Sequence, residues 1–115
     1  MKAKVHVEIT ENNVAYWKQR LEAAAEGARL REAQEIADET SRDSAYLSGQ
    51  LASSWHVVND RASHMAWVES DDPNAIHQEF GTAHNPAHPA LRPAAHRHEQ
   101  SFIGRLGQAI KDAIA

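Results

Sequence analysis

Two short segments and the loop between them constrain this chain more than any other feature. They are Glu79-Phe80-Gly81-Thr82 and, after a polar stretch, His88-Pro89-Ala90-Leu91-Arg92-Pro93-Ala94. Their order places a strand end, a glycine turn, an extended loop and a proline-started helix one after another. Nothing in that order resembles catalytic machinery. It describes a segment that sets a loop and a helix against something else.

The flanking sequence says what those segments are mounted on. Lys4-Val5-His6-Val7-Glu8-Ile9-Thr10 alternates strictly, with Val5, Val7 and Ile9 on one face, as in a half-buried strand. Asn12 or Asn13 is a natural helix cap. A long helix is expected from there to about Asp43, with a stripe of Val14, Trp17, Leu21, Ala25, Ala28 and Ile36 that Glu32 interrupts. Residues 41–49 are polar and form a connection. Strands are expected over residues 51–59 and 63–70, joined by a tight loop at Asp60-Arg61-Ala62. That loop sets Trp55 opposite Trp67 and Val57 opposite Met65, all on one face.

Asp71-Asp72-Pro73-Asn74 carries turn chemistry. Residues 75–80 are expected to turn briefly and enter a short strand, and residues 81–88 to form a loop. The regular part of the last helix is expected to begin at Pro93, because proline deep in a helix costs about 3 kcal/mol. Ala95, Phe102, Leu106, Ala109, Ile110 and Ala113 then form its buried stripe. The sum is an α+β fold over residues 1–115 as a single domain. A small, mostly antiparallel sheet (N-terminal strand, hairpin, short strand) is packed by a long N-terminal helix and a C-terminal helix.

Composition narrows the function classes. The net charge of -4 argues against nucleic acid as the main partner, since phosphate binding needs surplus Lys and Arg. There is no cysteine, so disulfides, thiolate chemistry and cysteine-based zinc sites are excluded. No run is apolar and long enough for a membrane span, and no membrane partner is expected.

The rival signal is eight histidines. His84, His88, His96 and His98 lie close in sequence, and imidazole is a common zinc ligand. Their spacing is poor: His84 and His88 flank Pro86 in a loop, and His96 and His98 are two apart on a helix. Surface or interface histidines that titrate near neutral pH are the plainer reading. Ser53 and Ser54 lack the strained turn that exposes a nucleophile. Glu69, Asp71 and Asp72 read as solvated carboxylates, and Trp17, Trp55 and Trp67 as core-facing. No catalytic residue, cofactor or metal ligand is assigned.

The second half of the chain resembles the small head–tail joining, or tail-completion, proteins of long-tailed bacteriophages. The resemblance rests on Ser48-Gly49-Gln50-Leu51-Ala52-Ser53-Ser54, then Glu79-Phe80-Gly81-Thr82, then Pro89-Ala90-Leu91-Arg92-Pro93-Ala94, in the family's order. It covers the chain from Ser48 onward. Ser48 stands where threonine is commoner, and Ala90 where the family usually has an aromatic.

The resemblance implies a structural virion protein, made in a host bacterial cytoplasm. It would form a homo-oligomeric ring, usually a hexamer, at the phage neck or tail top, as a tail-completion or tail-terminator component. The ring would join a head connector or stopper protein to a tail tube protein, with DNA only passing through its channel. Phe80, Gly81, Thr82, His84, Asn85, His88, Leu91 and Arg92 are the expected assembly residues. On their own chemistry, Gly81 permits a chain reversal, Phe80 anchors the strand end in the core and Leu91 pins the last helix. Arg92 offers a planar fork to a carboxylate. Two other readings remain: a small histidine-rich, zinc-dependent hydrolytic enzyme, and a non-viral dimeric binding domain that uses the Trp face of the hairpin.

Overall fold

A computed structural model describes residues 14–45 and 47–114. The expected N-terminal strand and the Asn12 or Asn13 cap lie outside the described residues. Helix α1 (Val14–Ser44) is the spine. At about 1.5 Å per residue its 31 residues span about 46 Å, most of the 61 Å length of the molecule. A short helix α2 (Gly49–Ala52) follows, capped by the Ser48 hydroxyl, which accepts from Leu51 N. The hairpin β1 (Trp55–Asp60) and β2 (Met65–Ser70) comes next, then α3 (Ala75–Phe80), α4 (Leu91–Arg97) and α5 (Glu99–Ile114). The fold is α+β, with a two-stranded antiparallel sheet among the described residues, a long N-terminal helix and a C-terminal helix.

Residues 51–54 are helix and turn, so β1 starts at Trp55 rather than Leu51. The hairpin exists where expected, in a different register. Trp55 lies opposite Ser70, Val57 opposite Val68, Val58 opposite Trp67 and Asp60 opposite Met65. The turn takes residues 61–64 rather than 60–62, with His64 left-handed at φ 56. Asp60 Oδ1 accepts from Ala62 N, and Arg61 O accepts from His64 N. The register is therefore displaced by an odd number of residues, and an odd displacement sends the two tryptophans to opposite faces. Trp55 turns toward α1, where its Nε1–H donates to Ser44 Oγ at 3.1 Å. Met65 and Trp67 are exposed on the outer face.

Two further elements differ from the sequence reading. Residues 75–80 form a helix, not a strand. The last helix begins at Leu91, with Pro93 as its third residue, and breaks at His98 into α4 and α5. Its buried positions change across that break. In α4 the buried residue is Ala94, while Ala95 is exposed; in α5, Phe102, Leu106, Ala109 and Ala113 are half-buried and Ile110 is exposed.

The core is thin. Its buried apolar residues are Ala28, Ala33, Ala37, Leu51, Ala75, Ala90 and Ala94. Among the described residues only Leu51 of these is larger than alanine. Small side chains let α1 approach its neighbours closely, but they bury little apolar area. Large apolar groups lie outside instead, among them Ile76, Phe80 and Ile103, each more than 60% exposed. Near its C-terminal end α1 is held by small hydroxyls. Thr40 Oγ1 donates to Ile36 O, Ser44 Oγ to Thr40 O, and Ser41 Oγ across to Ala52 O.

Candidate functional site: a capped loop and a buried ion network

The Glu79–Arg92 region is built around one carboxylate. Glu79, only 5% exposed, sits near the C-terminal end of α3. Its Oε1 accepts from Ala90 N at 2.6 Å and Leu91 N at 2.7 Å, and its Oε2 accepts from Arg92 N at 3.3 Å. The first turn of a helix has donors with no intrahelical partner, and a negative charge there also meets the positive end of the helix dipole. Pro93 has no N–H to satisfy, and Ala94 N already bonds Ala90 O. Every donor at the start of α4 is thus accounted for. This explains why the helix starts two residues ahead of Pro93.

Arg92 closes the unit from outside. Its Nε lies 3.4 Å from Glu79 Oε2, its Nη2 donates to Glu79 O, and its guanidinium stacks 4.3 Å from the Phe80 ring centroid. The carboxylate expected for Arg92 therefore lies within the subunit. Phe80 does not anchor in the core: it is 63% exposed, because the helical turn that directs Glu79 inward directs its neighbour outward.

Gly81 reverses the chain at φ 78. A Cβ there would lie 2.9 Å from Ala87 N and 3.1 Å from Asn85 O, so the position needs glycine on two counts. Beyond it, Thr82 Oγ1 accepts from His84 N and Asn85 N, Thr82 N donates to Asn85 O, and His88 N donates to Gln78 O at 2.6 Å. The loop is fixed by its own backbone, while residues 82–89 are all exposed. Leu91 is half-buried at the start of α4. The eight expected residues thus fall in one contiguous region.

A second polar centre was legible only as a flaw. Glu32, which interrupts the apolar stripe of α1, is 2% exposed. Its Oε1 lies 2.5 Å from His98 Nδ1, and its Oε2 lies 2.9 Å from Arg105 Nη1. His98 Nε2 lies 2.9 Å from Glu39 Oε2, and Arg105 reaches Glu35 at 2.9 Å. The hydrogen bond that His98 donates to Glu32, with the one to Glu39 adding to it, raises the His98 pKa against the opposing effect of burial. The hydrogen bond from Arg105 lowers the pKa of Glu35. The signals in sequence were the interrupted stripe at Glu32 and a histidine four residues before Phe102.

Of the four histidines weighed as zinc ligands, the structure draws His98 alone into this network. His84 and His88 stay in the exposed loop, and His96 lies beside Glu99. Glu32, Glu35 and His98 are the one group of potential metal ligands brought together among the described residues. The Arg105 guanidinium already rests on both carboxylates and supplies the positive charge a cation would bring. The arrangement is an ion network that clamps α5 and the α4–α5 break onto α1.

Comparison with protein-family models, with curated proteins and with solved structures returned no match.

Proposed function

We propose that this chain is a structural assembly protein that self-associates as a ring and works at the neck or tail top of a bacteriophage virion. The observation that carries the reading is its inverted apolar distribution. Among the described residues the buried apolar set is almost all alanine, while Ile76, Phe80, Ile103, Met65 and Trp67 are exposed. Scattered exposed apolar residues are ordinary, but a thin core beside so many large exposed ones fits a subunit completed by neighbours. The ordered motifs from Ser48 to Ala94 supply the phage context. The capped unit around Glu79 supplies the contact element: a stiff, exposed loop over residues 82–88, with Phe80 and Arg92 beside it.

On this reading the ring contacts a tail tube protein on one side and a head connector protein on the other. His84, Asn85 and His88 lie in the contact loop. Native mass spectrometry at rising protein concentration is the first test. A closed, metal-free oligomer, with six subunits as the expected size, supports the proposal. A monomer or dimer carrying stoichiometric zinc overturns it in favour of the hydrolytic reading. In an assembly assay, replacing residues 82–88 with a Gly-Ser linker of equal length should leave a folded chain that fails to join heads to tails.

A further inference from the structure

The chain breaks its last helix at His98 for no reason that the backbone supplies. Sharp helix breaks sit at proline, at glycine or at an inserted side chain, and residues 94–101 contain neither proline nor glycine. The hydrogen-bond ladder runs across the break: His98 N donates to Ala94 O at 3.2 Å, and Phe102 N donates to His98 O at 2.9 Å. His98 itself stands at φ -91 and ψ -2, with ψ about 40° from the helical value. Its side chain supplies the missing cause. Nδ1 lies 2.5 Å from Glu32 Oε1, and Nε2 lies 2.9 Å from Glu39 Oε2. A neutral imidazole has one donor and one lone pair, so only the imidazolium suits a carboxylate at each nitrogen.

We propose that His98 is a latch. With its ring held between Glu32 and Glu39 it keeps α4 and α5 as two helices on α1; when the ring loses its proton, residues 91–114 join into one straight helix and α5 swings away from α1. The moving arm is α5, because α4 is fixed by Glu79 at its start and by Arg97 on Asp43 at its end. No residue of α5 is fully buried. Beyond His98 it is held by Arg105 on Glu32 and Glu35 and, at its exposed far end, by Arg20 donating to Ala113 O. Among the described residues, the charged groups around His98 are Glu32, Glu35 and Glu39 from α1 and Arg105 from α5, with Arg97 of α4 3.5 Å from Glu39. Arg29, His64, Arg92 and Glu99 share the open groove that His98 lines. Loss of the imidazolium leaves three carboxylates facing Arg105 and an Arg97 that they share with Asp43. The latch is closed below about pH 6.5 and opens as pH rises through the raised value of His98. Opening bares Phe102, Leu106 and Ala109, the half-buried stripe of α5. The device does not depend on the phage reading.

The test is a distance measured by pulsed electron paramagnetic resonance. The chain has no cysteine, so Ala23→Cys and Lys111→Cys, both at exposed positions, place one nitroxide on α1 and one on α5. The 16 residues of α5 span about 24 Å, and a turn of about 20° at the base carries the tip about 8 Å. At about pH 5.5 one short distance is expected; at about pH 9 a population longer by about 8 Å or more should appear, with the far-UV helix signal undiminished. His98→Gln should show the long distance at both pH values, and His98→Arg, which keeps its charge, the short one at both. If His98→Gln does not fold, the native chain and His98→Arg carry the comparison. An unchanged distance in the native chain overturns the proposal. So does a lengthening that survives in His98→Arg, or one accompanied by loss of helix signal, because α5 then melts instead of straightening.

Discussion

Glu32 and Glu79 are both buried carboxylates, and the molecule satisfies them in opposite ways. Glu79 is held by backbone: three consecutive N–H groups at the start of α4 converge on it. Glu32 is held by side chains, the imidazole of His98 and the guanidinium of Arg105, both brought from the other end of the sequence. The first arrangement is local and spans about a dozen residues. The second is long-range and depends on the charge state of its partners. A carboxylate capped by backbone organises a loop; one clamped by cations ties two helices together and makes that tie depend on pH.

The sharpest way to break the comparison is to remove each carboxylate in turn. Glu32→Ala leaves His98 and Arg105 facing each other in a largely buried site and should cost about 3–5 kcal/mol in urea unfolding. Glu79→Ala strands backbone donors at one helix start and should cost less, about 2–3 kcal/mol. Its damage should be confined to residues 81–94 in hydrogen exchange, whereas the Glu32 variant should loosen α5 along its length. Equal and equally widespread effects would dissolve the distinction. Gly81→Ala comes next, at about 1–3 kcal/mol, because a left-handed φ and a Cβ clash coincide there.

Titration separates the two regions further. His98, at the α4–α5 break, faces Glu32, Glu35 and Glu39 of α1, with Arg105 of α5 on the far side of Glu32, and its folded pKa is raised. The stability it contributes is fully present below the unfolded value of about 6.5 and is lost as pH rises through the folded value. The melting temperature should therefore fall as pH rises above about 6.5. His98→Gln should flatten that slope, and Glu79→Ala should leave it intact. The smallest effect is expected at the loop tip. His84→Ala should change stability by less than about 0.5 kcal/mol while, on the proposed function, weakening assembly.

The sequence exposed the two regions unevenly. The long helix was legible from its length and period, and Gly81 from the turn it has to make. The Glu79 unit was visible as a motif, but its mechanism was not. Reading residues 75–80 as a strand hid the inward turn of Glu79, which is selected by the donors of α4 eleven residues on. Glu32 looked like a defect in an apolar stripe because its partners, His98 and Arg105, lie more than sixty residues away. The hairpin was legible and its register was not. A left-handed histidine at position 64 has no glycine or asparagine to announce it, and one extra turn residue exchanged the faces of the tryptophans. The break at His98 likewise carries no proline or glycine.

The loop anchored by Glu79 and Gly81 also bears on how such a surface changes over generations. Its shape is set by Glu79, Gly81, the Thr82 hydroxyl and main-chain bonds, while most of its outward side chains contribute nothing to that shape. Substitutions at Ala83, His84 or Asn85 carry little folding penalty, so on the proposed function they would be felt at the partner surface rather than in the fold. On that reading, docking specificity could be exchanged at a few positions without rebuilding the frame that Glu79 and Gly81 hold.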